Sequence, residues 1–133
     1  MALIHQIIET SLYVRDLEEA ERFYQRVFDL PTYSRVPGRH VFFKVGTDML
    51  LLFNPEASRK PGSVPTHGAE GAGHAAFAIQ HEELEFWKKR LAELGVAIEH
   101  EHEWPGGGRS LYFRDPSGNS IELVTPDTWP DRV

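Results

Sequence analysis

Two stretches of this chain carry one pattern, and that repeat limits its possible folds more than any other feature. Residues 9–55 run E-T-S-L-Y-V-R-D-L, then F-Y, V-F-F-K-V and M-L-L-L-F-N-P. Residues 74–126 run H-A-A-F-A-I-Q, then F-W, L-Y-F-R-D-P and S-I-E-L-V-T-P. Each stretch reads as a strand, a helix and three further strands. Glu9 to Val14 and His74 to Ile79 are offset by 65 residues; Leu51 to Pro55 and Glu122 to Pro126 are offset by 71. The extra six residues are expected between helix and strand, at the Gly106–Gly108 run. The fold class expected is α+β: two βαβββ modules related by a pseudo-twofold, forming a curved mixed sheet around one cavity.

The local signals agree with that plan. A strand is expected over residues 4–14, with Glu9, Ser11 and Tyr13 on one face and Thr10, Leu12 and Val14 on the other. Asp16 and Glu19 form a capping-box pattern ahead of a helix that keeps Leu17, Ala20, Tyr24, Val27 and Phe28 on one stripe. Pro31 stops that helix. Strands follow at 32–36, 40–45 and 48–53. Residues 54–73 show no periodicity and read as a structureless linker. The second module opens with a strand at 74–80. Leu84, Trp87, Leu91 and Leu94 mark its helix, which stops at Gly95. Strands are expected at 96–102, 109–114 and 119–124, with a turn at Asp115–Gly118. The chain is therefore read as one domain over 1–133, with modules 4–54 and 73–126 joined by a linker at 55–72. For the tail 125–133 two readings stand open: disorder, or Trp129 covering a surface.

The repeat points to chemistry. Alternation puts Glu9 and His74 on the faces turned away from the helices. The same rule puts Leu51 and Glu122 on the cavity face of each last strand. The pseudo-twofold would then gather Glu9, His74, Glu122 and Leu51. Neutral imidazole with two carboxylates suits one divalent ion: Mn, Zn, Ni or Fe. Two carboxylates cancel the ionic charge, which favours substrate chelation over making free hydroxide. Leu51 leaves the fourth corner open. The competing reading is a metal-free ion triad with His74 protonated between Glu9 and Glu122.

Composition narrows the partners. The 133 residues include no cysteine, which removes disulfide and thiolate chemistry. A formal charge of −6 without a basic run argues against nucleic acid and is compatible with a cationic small molecule. No apolar run is long enough for a membrane span, and MALIHQ does not read as a signal peptide. A cytoplasmic location is the expectation.

The segments I-E-T-S-L-Y-V-R-D-L-E-E-A-E-R-F-Y, G-H-A-A-F-A-I and D-P-S-G-N-S-I-E-L together resemble the vicinal oxygen chelate superfamily. That group includes glyoxalase I, extradiol dioxygenases, methylmalonyl-CoA epimerase, fosfomycin resistance enzymes and bleomycin resistance proteins. The resemblance covers residues 4–126. It implies paired βαβββ modules around a divalent metal that chelates neighbouring substrate oxygens, a homodimer, and metal ligands at Glu9, His74 and Glu122. Glu9 departs from the His or Gln of most catalytic members. Leu51 stands near a further ligand or base of glyoxalase I and the epimerase, which argues for the three-ligand members instead. R-S-L-Y-F-R-D-P is similar to a strand of the fosfomycin thiol transferases, so Ser110 and Tyr112 are expected to hydrogen-bond an anionic substrate oxygen. Ser11 falls at a family Thr position.

Other candidates are Arg109 as a bidentate clamp and Trp104 as a stacking platform, each against a plain structural role. His67 reads as a solvated loop histidine. His100 and His102 read as a solvated edge strand that could line the cavity mouth. No residue is assigned as the catalytic base; Glu9 and Tyr112 are the candidates. The functional expectation is a metal-dependent enzyme acting on a small oxygen-rich molecule. The alternative is a metal-free protein that sequesters a compound, as bleomycin resistance proteins do.

Overall fold

The structure is a computed structural model in which residues 2–130 are described. The tail beyond Pro130 lies outside the described residues. Two compact units are present, Met1–Glu70 and Gly71–Val133. Each is an α+β module built on a four-stranded mixed sheet.

Unit 1 runs β1 (Glu9–Tyr13), α1 (Leu17–Phe28), β2 (Thr32–Val36), β3 (His40–Val45), β4 (Asp48–Phe53) and a short α2 (Pro55–Ser58). Its strands lie in the order β1-β4-β3-β2. β1 pairs with β4 in parallel, and the other pairs are antiparallel. Asp16 caps α1 by accepting the Glu19 N–H at 3.0 Å, and Glu18 and Glu19 place negative charge at the helix N-terminus. Asp29 ends the helix in the left-handed region, with φ of 54°. The buried stripe is Leu17, Ala20, Phe23, Tyr24 and Val27, and it packs on the inner face of the sheet, where Tyr24 meets Phe43. Glu21 is buried too. It accepts hydrogen bonds from Thr32 Oγ1 at 2.7 Å, Arg35 Nε at 2.9 Å and a second Arg35 nitrogen, and so ties the helix to β2.

Unit 2 repeats the plan: β5 (His74–Ala78), a 3-10 turn at His81–Glu83, α3 (Leu84–Glu93), β6 (His100–Glu103), β7 (Arg109–Arg114) and β8 (Ser120–Val124). Its order is β5-β8-β7-β6, again with a parallel first pair. The register proves the internal repeat. Glu9 stands opposite Met49 and His74 opposite Ser120, which preserves both sequence offsets. One row over, His40 faces Phe53 as Ser110 faces Val124.

Four expectations need correction. β1 starts at Glu9 rather than at residue 4: the Ile8 carbonyl still accepts the Met49 N–H at 2.9 Å, but β4 begins at Asp48 and leaves residues 4–7 no strand opposite them. β6 starts at His100 rather than 96, where its pairing with Tyr112 begins. Residues 54–73 are not wholly structureless, since Asn54 caps α2 through the N–H groups of Glu56 and Ala57. The six-residue drift is also shared out. Four residues enter between β6 and β7, and one each before β6 and between β7 and β8. At Gly108 a Cβ would lie 2.7 Å from the Thr128 Cα, so this loop needs glycine to pass the chain end.

The Arg35 hydrogen bond holds the Glu21 carboxyl below its ordinary value, against the opposing effect of burial. A carboxyl lowered on folding stabilises the fold above its unfolded value and loses that contribution as pH falls through the folded one. Glu21→Gln is expected to cost about 1–2 kcal/mol at pH 7, discounted for the solvent exposure of Arg35. Urea unfolding should show the difference from the parent shrinking below about pH 4.

Candidate metal and substrate site

The outer face of the unit 2 sheet is built by alternation. β5 supplies His74, Ala76 and Ala78; β8 supplies Ser120, Glu122 and Val124; β7 supplies Ser110, Tyr112 and Arg114. Ala75, Ile121, Leu123, Leu111 and Phe113 fill the opposite, buried face.

Glu122 is the centre of this face and only 8% exposed. Its Oε1 lies 3.1 Å from His74 Nε2. Its Oε2 accepts the Ser110 hydroxyl at 2.5 Å. Ser110 Oγ in turn accepts the Trp104 indole N–H at 2.9 Å. The histidine is oriented from behind, where Nδ1 meets the Ser120 carbonyl at 3.0 Å. A carbonyl only accepts, so Nδ1 carries a proton and Nε2 is the ring nitrogen turned toward Glu122.

The turn Asp115–Asn119 sets the position of that histidine. Asp115 Oδ1 accepts the N–H groups of Ser117 and Asn119, and Oδ2 accepts the Asn119 amide at 2.9 Å. Buried Asn119 then accepts the Gly73 N–H at 2.7 Å, immediately before His74. Sequence reasoning found only a turn here. The D-x-x-x-N spacing beside a candidate ligand strand is the signal that could have shown its second role.

The donor set fits a divalent ion. His74 Nε2 and Glu122 Oε1 stand 3.1 Å apart, a spacing that suits a proton on Nε2 or a cation held by both. Nitrogen and oxygen ligands of one metal ion commonly stand about 3 Å apart. The His74 side chain is 51% exposed, so the pair is open to a ligand. Within either unit, no group of three His, Asp or Glu side chains forms a cage among the described residues.

The remaining candidates divide by element. Tyr112 shares the Glu122 face and packs near His74, with ring centroids 6.4 Å apart. Burial, and then the charge of Glu122, push its phenol above the ordinary value. It therefore stays protonated at neutral pH, where it can donate a hydrogen bond and is not available as a base. Ser110 is buried with its donor and one acceptor site in use, and Trp104 spends its indole N–H on Ser110. Both orient Glu122. Arg109 falls one residue out of phase with Ser110, on the other face, and its backbone N–H is held by Thr125 Oγ1 at 2.9 Å. His100 and His102 do lie on the Glu122 face, with Nε2 and Nδ1 3.4 Å apart.

Unit 1 holds Glu9, Ser11 and Leu51 on the equivalent sheet face. Ser11 stands opposite Leu51, and Leu51 is buried. Glu9 is exposed and lines a cavity of about 1300 Å³, shared with Leu51, Phe42 and Phe53. His67 lines it too. Its ring packs on Phe53 with centroids 4.6 Å apart, and Nδ1 meets the Tyr13 hydroxyl at 2.8 Å. Ser58 fixes the loop by donating to the His67 carbonyl at 2.6 Å. The loop histidine is thus built into a wall.

Among the known proteins similar to this chain, some are enzymes by name. Metallothiol transferase FosB of Bacillus licheniformis is 35% identical over 84% of this chain and 70% of its own length. A solved lactoylglutathione lyase from Agrobacterium tumefaciens is 44% identical, covers 94% of this chain and 96% of its own, and superposes with a TM-score of 0.91. A variant of the fosfomycin resistance protein FosX from Listeria monocytogenes, solved with Mn(II) and 1S,2S-dihydroxypropylphosphonic acid, is 25% identical. That pair covers 91% of this chain and 90% of the other, with a TM-score of 0.69. The family profile for the Glyoxalase/Bleomycin resistance protein/Dioxygenase superfamily matches residues 4–123. The chain belongs to that superfamily.

Proposed function

We propose that this protein is a divalent-metal-dependent enzyme acting on a small molecule that presents two adjacent oxygens. The observation that carries the reading is His74, anchored through Nδ1, with its Nε2 turned on the Glu122 carboxylate at 3.1 Å. Glu9, His74 and Glu122 are the proposed ligands, one ion per site. Bound there, the ion would act as a Lewis acid on an oxyanion of the substrate.

The chain's own residues supply the rest. Ser110 and Trp104 hold Glu122 in one rotamer. Tyr112, which keeps its proton at neutral pH, donates a hydrogen bond to the developing substrate oxyanion. Among relatives, fosfomycin-type addition of a thiol or water fits best. Its support is the FosB similarity and the donor-free Leu51 at the fourth corner. The similarity to a lactoylglutathione lyase favours a second reaction, isomerisation of a thiol–aldehyde adduct. A homodimer in the cytoplasm is part of the same proposal, and light scattering would read its mass.

Metal-free protein titrated with Mn(II) should take up one ion per chain. His74→Ala and Glu122→Gln should each abolish that uptake; uptake unchanged in both would end the metal reading. Fosfomycin consumption with cysteine or glutathione, beside lactoylglutathione formation from the methylglyoxal adduct, separates the two reactions.

Ser110→Ala and Trp104→Phe are expected to weaken Mn(II) affinity about tenfold while circular dichroism stays unchanged. Ser110→Thr should restore it. Tyr112→Phe is expected to lower kcat by about tenfold or more and to leave Mn(II) affinity alone.

A further inference from the structure

We propose that the unit 1 cavity is a binding site for an organic anion with an aromatic or apolar body, its charge received by Arg39, Lys44 and Lys60. This deepens the enzymatic reading, since Glu9 belongs to the same cavity. It names the class of substrate, or of co-substrate, that the site takes.

The charges come first. The chain as a whole carries −6, yet Arg39, Lys44 and Lys60 line this cavity against one carboxylate, Glu9. None of the three cations pairs with a carboxylate among the described residues. Lys44 and Glu9 lie on one sheet row but are kept apart by Met49, which stands opposite both. Arg39 places one nitrogen 2.6 Å from His40 Nδ1. Arginine only donates, so that histidine is a neutral acceptor and leaves the guanidinium charge uncompensated.

The repeat shows that this is a departure. Lys44 stands in the register position of Arg114, which unit 2 neutralises with Glu99 at 3.0 Å. The position matching Glu99 in unit 1 is Tyr33, which also lines the cavity. One half of the molecule pairs this cation with an acid; the other replaces the acid with an exposed aromatic ring. Uncompensated positive charge in a concave wall attracts anions and focuses their approach.

The walls set the body of the ligand. Phe42 and Phe53 meet edge to face with centroids 5.4 Å apart, and the Arg39 guanidinium lies 5.4 Å over the Phe53 ring. Leu51 adds an aliphatic floor. Small-molecule sites are commonly about 300–1,000 Å³, mostly apolar with few polar anchors. At about 1300 Å³ this cavity admits a molecule of that size. A cationic planar ligand, compatible with the net charge, meets the wrong sign here.

Phenylphosphonate is the probe, with benzyltrimethylammonium as the opposite-charge control, titrated by calorimetry into chelator-treated and Mn(II)-loaded full-length protein. The expected result is saturable phenylphosphonate binding in both forms, weakened by added salt, and no binding of the cation. Lys44→Glu and Lys60→Glu, both at exposed positions, should each weaken it about tenfold or more, while Lys89→Glu on α3 changes nothing. Absence of saturable binding, parental affinity retained in both cavity variants, or tighter binding of the cation would overturn the proposal. Binding that survives without Mn(II) uptake supports the anion cavity and ends only the metal reading. Mn(II) uptake without phenylphosphonate binding does the reverse.

Discussion

Parallel pairing between the first and last strand of each unit sets every other feature of the two sheet faces. Those strands are separated in sequence by a helix and two strands, so their register has no hairpin to fix it. It is fixed from both sides instead. On the inner face, Leu12 and Leu52 in unit 1, and Ala75, Ile121 and Leu123 in unit 2, must be buried together. On the outer edge, the Asp115–Asn119 turn holds the Gly73 N–H and so pins the start of β5. A slip of one residue would turn His74 and Glu122 into the core and bring Ala75 and Ile121 into water.

The same register makes the two halves comparable row by row, and the comparison shows how one scaffold carries two surfaces. Glu122, Tyr112 and Ser110 occupy the positions of Leu51, Phe42 and His40. Unit 2 therefore presents a hydroxyl-rich, carboxylate-centred face, and unit 1 an aromatic wall rimmed with cations. The backbone ladders are unaffected, because these side chains point away from the helices. Function has diverged on the face where packing imposes the weakest constraint.

Much of this was legible in the chain. Strand alternation and the two fixed offsets located β3, β4 and β7 at their observed bounds, and placed Glu9, His74, Leu51 and Glu122 on the outward faces. Pattern could not locate strand ends that depend on a partner's length, as at β1 and β6. The roles of Ser110 and Trp104 were hidden for another reason. A hydroxyl and an indole on one face read equally well as substrate contacts or supports, and only distances separate the two. His67 lay in a stretch without periodicity, where the contact of its ring with Phe53 leaves no trace in sequence.

The surroundings of Glu122 also bear on the charge it needs. A buried carboxylate without a counter-charge is costly, and hydroxyl donors recover only part of its lost hydration. Among the described residues, no lysine or arginine pairs with it. Its polar neighbours are Ser110, Tyr112 and the half-exposed His74. Replacing the charge by a neutral amide would remove that cost. A carboxylate kept at such a place is one whose compensating cation comes from outside the chain, or from a proton on His74. Fixing His74 by Nδ1 rather than Nε2 leaves Nε2 on the side where either cation would sit. The indole–hydroxyl–carboxylate chain holds the acceptor still whichever cation faces it.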